Sequence, residues 1–287
     1  MSRVRTVVAT EVILFLGLLA FVIAAFLVER AAGLDGPISL GPLARVAFAA
    51  APSALWLGYF RAQDSQTEEP MSLLLVMYLA GALIAGPVAS FAVGVALEPD
   101  AAAAPVFDRF GADRLVTAFL VVAMAQELCK YAVVRYTVYS LPDLGNPVDG
   151  MVYMTAVGLG FATFRGHQYL SELDGQVLLS VGAARVVVTT LAHACFAAAL
   201  GLAIGWSKFS SRTPWRRSLV LLAGLLCAVA LNGQFAVVEA AISVPGLGFA
   251  PWRSVAFAFG FAAAVLMAFS YVLRRVVRAV ARVESEA

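Results

Sequence analysis

MSLLLVMYLAGALIAGPVASFAVGVAL, which runs from Met71 to Leu97 and contains no charged residue, is the stretch that decides the fold. An α-helix rises about 1.5 Å per residue, so roughly 20 apolar residues cross the hydrocarbon core of a bilayer. Pro87 does not argue against a helix, because proline is tolerated in membrane-spanning helices. The stretch therefore predicts a transmembrane helix.

Seven other stretches of similar length and character indicate that the whole chain, residues 1–287, is one integral membrane domain. Of all residues, 62% are hydrophobic and 13% are charged, whereas a soluble domain has about 25% charged residues. We predict an all-α, polytopic transmembrane helical bundle of about eight spans. The spans are Thr6–Val28, Gly41–Phe60, Met71–Leu97, Leu115–Tyr139, Pro147–Leu170, Gln176–Gly205, Ser218–Val238 and Ser254–Val272.

The connecting segments predict the orientation of these spans and exclude one class of partner. With the N-terminus inside, the inner segments carry 11 Lys and Arg residues and the outer ones carry 4. The positive-inside rule then places both termini in the cytoplasm. A net charge of +2 without a basic stripe does not indicate nucleic-acid binding, so membrane lipid is the predicted surrounding partner.

Ionisable residues inside the predicted membrane region concentrate in spans four to six. Charge at the bilayer centre is costly, and such residues are candidates for function. Counted from the outer face, Glu127 lies about 20 Å deep and His193 about 26 Å deep, which allows contact between them. The group comprises Gln126, Glu127, Lys130, Asp149, Arg165, His167, Arg185 and His193.

Each of these residues also has a purely structural interpretation. Glu127 and Lys130 are three positions apart and can neutralise each other on one helix face. His193 can form a hydrogen bond between helices, as polar residues do in membranes. Asp149 follows Asn146 and Pro147, where an acidic side chain suits the first turn of a helix. We expect a shared polar site instead, because their depths coincide.

The order of three short motifs resembles the PrsW family of bacterial intramembrane proteases, itself similar to the CAAX-protease-like and Aph-1-like membrane proteins. That family has E-E-x-x-K, then D-G-x-x-Y-G and L-G-F-A-x-x-E-N, then R-x7-H-x7-G. Here residues 126–130 are QELCK, 149–153 are DGMVY and 159–166 are LGFATFRG. Arg185, His193 and Gly201 complete the third motif. The resemblance extends from about Pro52 to Gly201, with a motif core at about 115–205.

The resemblance implies a site and a location, and this chain departs from the family at the site. Glu127 and His193 are the implied catalytic residues, and the bacterial cytoplasmic membrane is the implied location. Gln126 replaces the first family Glu, while Arg165 and Gly166 replace the Glu-Asn pair. Gln cannot act as a general base, and Arg offers donors and no acceptor. Supporting or substrate-binding roles are implied for Gln126, Lys130, Asp149, Arg165 and Arg185.

These replacements bear on the metal that the family's site is thought to bind. The five charged motif positions sum to −1 in the family pattern and to +2 here, which makes a poor site for a divalent cation. Catalytic zinc typically has three protein ligands, and here Glu127 and His193 supply two. His167 lies two residues past Arg165, about 200° around the helix from it, and Cys129 and Cys195 are displaced in the same way from Glu127 and His193. Zinc is therefore disfavoured, although the metal remains undecided.

Three functions are compatible with the sequence. The first is a protease that cleaves a single-span, membrane-anchored substrate, such as an anti-sigma factor in regulated proteolysis. Glu127 would position or activate water, His193 would stabilise the oxyanion or ligate a metal, and Arg165 would bind the substrate carbonyl. The second is a catalytically degenerate relative that binds a membrane helix or lipid, with Arg165 ion-paired to Glu127. The third, a transporter, lacks support because no inverted repeat is visible.

Overall fold

The computed structural model describes residues 2–34, 36–67, 70–97, 116–172, 176–209 and 213–243, together with three single positions further on. This part of the chain is a helical bundle with one pair of two-residue strands. Antiparallel pairing joins Ile38 to Val177 and Ser39 to Gln176. In chain order the elements are α1 (Ser2–Ala31), β1 (Ile38–Ser39), α2 (Pro42–Thr67), α3 (Met71–Ala80), α4 (Gly86–Ala96), α5 (Met124–Tyr136), α6 (Pro147–Glu172), β2 (Gln176–Val177), α7 (Leu179–Phe209) and α8 (Pro214–Ser243).

Within the described residues, six helices are long and apolar enough to cross a membrane by length and composition. They coincide with six of the eight predicted spans and confirm an all-α membrane fold. They cover Thr10–Ala31, Pro42–Phe60, Met71–Ala96, Thr117–Tyr136, Leu179–Phe209 and Pro214–Val237. The predicted span Ser254–Val272 lies outside the described residues. The total number of spans and their orientation stay predictions.

Helix α6 corresponds to the remaining predicted span and lies in the middle of the bundle. It is not among the six apolar helices, because it carries polar residues such as Asp149 and Arg165. Every side chain from Val148 to Thr163 is buried. The helix packs against α7 over most of its length and also against α2 and α3. A helix surrounded by protein does not need the apolar surface that lipid contact demands.

Glycines allow α6 and α7 to approach backbone to backbone. A side chain at Gly150 would overlap the Gly201 carbonyl oxygen at 2.6 Å. A side chain at Gly158 would lie 2.7 Å from the carbonyl oxygen of His193. Small residues at helix interfaces permit such close packing in membranes. This packing fixes the height of His193 relative to α6.

Two π-helical turns interrupt the apolar helices, and the sequence did not predict them. Gly81–Ala85 joins α3 to α4, and Thr117–Ala123 leads directly into α5. A π-turn changes the rotational phase of the helix that follows it and is frequent at functional sites. In α5 the phase is such that Gln126, Glu127 and Lys130 all face the bundle interior and are buried.

Candidate active site

Two opposite charges on α5 form the centre of the site. The Lys130 ammonium donates to Glu127 Oε1 at 2.5 Å, and both side chains are 0% exposed. Their spacing of three residues places them on one helix face. A buried pair persists only when its charges and hydrogen bonds satisfy each other. The structure thus brings together Glu127 and Lys130, two residues that the sequence singled out.

Helix α7 adds His193 to this pair. The imidazole is buried, and its Nδ1 atom lies 3.5 Å from Lys130 Nζ. Phe161 and Phe196 pack edge-on against the ring at centroid distances of 4.9 and 5.5 Å. An ammonium has no lone pair, so Nδ1 accepts from Lys130 and the ring proton then lies on Nε2. Lys130 therefore connects the acid of one helix to the imidazole of another.

Asn232 on α8 is a part of the site that the motifs did not predict. Its Nδ2 atom donates to Glu127 Oε1 at 2.7 Å and to Gln126 Oε1 at 3.0 Å. The side chain is 4% exposed. The available signal was a polar residue, shared with Gln234, late in a mostly apolar span. Asn232 thus uses both amide protons on consecutive residues of the QELCK motif.

The two oxygens of the Glu127 carboxylate differ in environment. Oε1 accepts from both Lys130 and Asn232. Oε2 is buried and has no hydrogen-bond partner among the residues that the structure describes. A buried acceptor without a partner costs about 1–3 kcal/mol, so such an atom usually serves a ligand or a water molecule. Among the described residues, Oε2 is therefore the carboxylate oxygen that remains open to a further donor.

The two positions that depart from the family motif have different surroundings. Gln126 lies beside Glu127 and is buried, where its side-chain oxygen accepts from Asn232. Arg165 is half-buried and donates from Nη1 to Gln168 Oε1 at 2.8 Å. Within the described residues, the ion pair of Glu127 is formed with Lys130 and not with Arg165.

Asp149 lies at the start of α6 and forms a helix cap. Its Oδ2 accepts from the backbone N–H groups of Gly145 and Asn146, each at 2.7 Å. In return, Asn146 Oδ1 accepts from the backbone N–H groups of Val148 and Asp149. This reciprocal arrangement satisfies donors that a helix N-terminus leaves free. It is the structural role that the Asn-Pro-x-Asp pattern indicated.

Arg185 lies two helical turns before His193 on α7. Its guanidinium carbon is 4.8 Å from the centroid of the Tyr169 ring on α6. Eight residues correspond to about 12 Å along a helix, so the Arg185–Tyr169 contact lies about that far from His193 along the axis of α7. Arg185 thus contributes a cation–π contact between α6 and α7.

The residues of the site do not fit a divalent metal ion. Glu127 and His193 offer two donors, and the Lys130 ammonium lies between them in contact with both. Within the described part of the chain, no three His, Cys, Asp or Glu side chains form a group that could hold a metal. A zinc site needs a third protein ligand and excludes an ammonium from its centre.

Comparison with known proteins gives one consistent family. The family model described as "PrsW family intramembrane metalloprotease" matches residues 69–248. Protease PrsW of Geobacillus kaustophilus is 31% identical over 185 residues, which is 64% of this chain and 75% of that protein. Protease PrsW of Clostridioides difficile is 25% identical over 184 residues, covering 64% and 74%. Protease PrsW of Bacillus subtilis is 24% identical over 196 residues, covering 67% and 81%. No solved structure matches the chain.

Proposed function

Because the chain belongs to the PrsW family of intramembrane metalloproteases, we propose that it is a peptidase that cleaves membrane-anchored proteins with Glu127 and His193. One observation carries the proposal: a buried acid, ammonium and imidazole from two helices lie in contact, and the acid has one free oxygen. A membrane protein bears the cost of buried charges mainly where they serve a function.

Water activation is assigned to Glu127. In this mechanism a water molecule donates a hydrogen bond to Oε2, and the carboxylate takes its proton as general base. The water oxygen forms a bond to the carbonyl carbon of the scissile peptide. Lys130 and Asn232 both hold Oε1, so the proton is accepted at Oε2. No metal takes part in this step.

Stabilisation of the oxyanion is assigned to Lys130 and His193. The ammonium and the N–H at Nε2 are donors held in a buried, low-dielectric position, where they are most effective. The protonated Glu127 then donates its proton to the leaving nitrogen, and the C–N bond breaks. The products are a carboxylic acid and an amine, and the Glu127 carboxylate is restored.

The proposed substrate is a single-span, membrane-anchored protein of the anti-sigma-factor type. The site lies among helices that are long and apolar enough to cross a membrane, so a substrate that is itself a membrane helix has the simplest access. The proposed setting is the bacterial cytoplasmic membrane, with lipid around the bundle and both termini in the cytoplasm. The distribution of basic loop residues supports this orientation.

The test is co-expression with a panel of epitope-tagged single-span membrane proteins from the same genome. The wild-type chain should convert at least one of them to a shorter tagged fragment on an immunoblot. Glu127→Gln and His193→Ala should abolish the fragment, while Glu172→Gln, at an exposed carboxylate on the end of α6, should retain it. Cleavage that persists in both site variants refutes the proposed function.

The second candidate is a catalytically degenerate relative that binds a membrane helix or lipid. Gln126 and Arg165 at family Glu positions favour it, because they remove two carboxylates from the motif. It predicts that a panel protein co-purifies intact with the chain and that Glu127→Gln does not change the amount bound. A fragment that depends on Glu127 excludes this candidate.

A further inference from the structure

Asn232 occupies a position from which it controls the orientation of the Glu127 carboxylate. It lies on α8, far from α5 in sequence, and its side chain is buried. Both of its amide protons are used, one on Gln126 Oε1 and one on Glu127 Oε1. A planar amide with both donors engaged has little rotational freedom. Asn232 is thus a fixed reference point for two adjacent residues of α5.

The two polar groups that contact the Glu127 carboxylate approach it from one side. Lys130 and Asn232 approach the same carboxylate oxygen, Oε1, at 2.5 and 2.7 Å. Oε2 receives no donor from the described residues, although it is fully enclosed. Lys130 is on the same helix as Glu127 and follows it in any rotation of α5. Among the described residues, Asn232 is the direct hydrogen-bond partner of the carboxylate that comes from another helix.

We propose that Asn232 is a positioning residue that holds Glu127 with Oε1 engaged and Oε2 turned toward the reacting water and the substrate. The inference rests on the proposed peptidase function for its catalytic consequence. Its structural part, the fixed orientation of the carboxylate, holds independently of cleavage. It also gives Gln126 a role: its amide oxygen accepts the second proton and thereby sets the plane of the Asn232 amide.

Substitution of Asn232 separates positioning from packing. Asn232→Leu keeps the branched shape of the side chain and removes both donors, whereas Asn232→Ala also leaves a space. Loss of a hydrogen bond to a charged group predicts a fall in kcat of about 10- to 100-fold in both variants, with KM retained. The matched control is Gln234→Ala, two residues along α8 and exposed, which should keep the wild-type kcat. A residue that only fills space would recover its kcat in the Leu variant.

An infrared measurement tests the orientation without any substrate. The difference spectrum of the wild-type chain and Glu127→Gln, both purified in detergent, isolates the carboxylate bands of Glu127. The same difference taken in the Asn232→Leu background should show these bands shifted, because one donor to Oε1 is gone. Unchanged bands, or an unchanged kcat in Asn232→Leu, overturn the inference. A wild-type chain that cleaves nothing refutes the peptidase function, and the band shift then decides the inference by itself.

Discussion

Replacement of Lys130 by Met tests whether the buried charges of α5 depend on each other. Lys130→Met keeps the length of the side chain and removes the ammonium that contacts Glu127 Oε1 at 2.5 Å and His193 Nδ1 at 3.5 Å. Both partners of the ion pair are completely buried. Removal of one partner leaves an uncompensated buried charge, which typically costs about 3–5 kcal/mol. Asn232 remains on Oε1 and offsets part of this, so a loss of about 3 kcal/mol is expected.

A double-mutant cycle measures this coupling. The free energy of unfolding is obtained by titrating the detergent-solubilised chain with sodium dodecyl sulfate for wild type, Lys130→Met, Glu127→Gln and the double variant. Because the double variant buries no unpaired charge, its stability should return to within about 1 kcal/mol of wild type. Additive losses, or a Lys130→Met variant as stable as wild type, would refute the idea that the two charges form a closed pair.

Three further outcomes are expected. The purified chain should contain well below one equivalent of zinc by mass spectrometry, and chelators should leave any cleavage intact. The reason is that two donors with an ammonium between them do not make a zinc site. Stoichiometric zinc would contradict this. Gly158→Ala should lower the free energy of unfolding by about 1–3 kcal/mol and reduce cleavage, because its Cβ would lie 2.6 Å from another side chain and 2.7 Å from the His193 carbonyl. Gly94→Ala, which meets nothing within 4 Å, is the control and should retain both. The orientation can be tested with single cysteines introduced into a cysteine-free background. Thr213→Cys should react with a membrane-impermeant maleimide only after the cells are opened, whereas Ala32→Cys should react in intact spheroplasts. The reverse pattern would contradict the predicted orientation.

The positions of the helices could largely be predicted from the sequence, because length and hydropathy determine which segments favour a bilayer. Met71–Leu97 was predicted as one span, and Met71–Ala96 is a continuous apolar helix. The π-turn at Gly81–Ala85 within it was not predicted. That turn packs against α6, and a side chain at Gly81 would overlap the Val157 carbonyl oxygen. The geometry of the turn depends on its contact with α6, and the local sequence around Gly81 does not contain that information.

The candidate site was predictable only where its residues share a helix or a motif. The structural interpretation paired Glu127 with Lys130 because they are three positions apart on one helix, and the structure contains this pair. His193 was placed near them by depth and by the resemblance. Asn232 was visible as a polar residue in an apolar span, but its rotation toward Glu127 depends on how α8 packs against α5. A single sequence carries no information on that rotation.

The partner of Arg165 could not be predicted from the sequence either. The hypothesis of a catalytically degenerate relative paired Arg165 with Glu127. In the structure, the Glu127 carboxylate accepts from Lys130, and Arg165 donates to Gln168 on its own helix. Each of these two contacts joins residues three positions apart on one helix. Such residues meet at little cost in side-chain entropy.

The enclosed position of α6 has a consequence for how the protein is made. A nascent segment partitions into lipid according to its own apolarity, and α6 falls outside the set of helices apolar enough to do so unaided. Ribosomal synthesis presents α6 before α7, the helix that covers most of it. Stable integration of α6 is therefore expected to wait for α7, so that the two enter the bilayer as a hairpin. Nascent chains that stop before residue 179 should be prone to degradation by quality-control proteases.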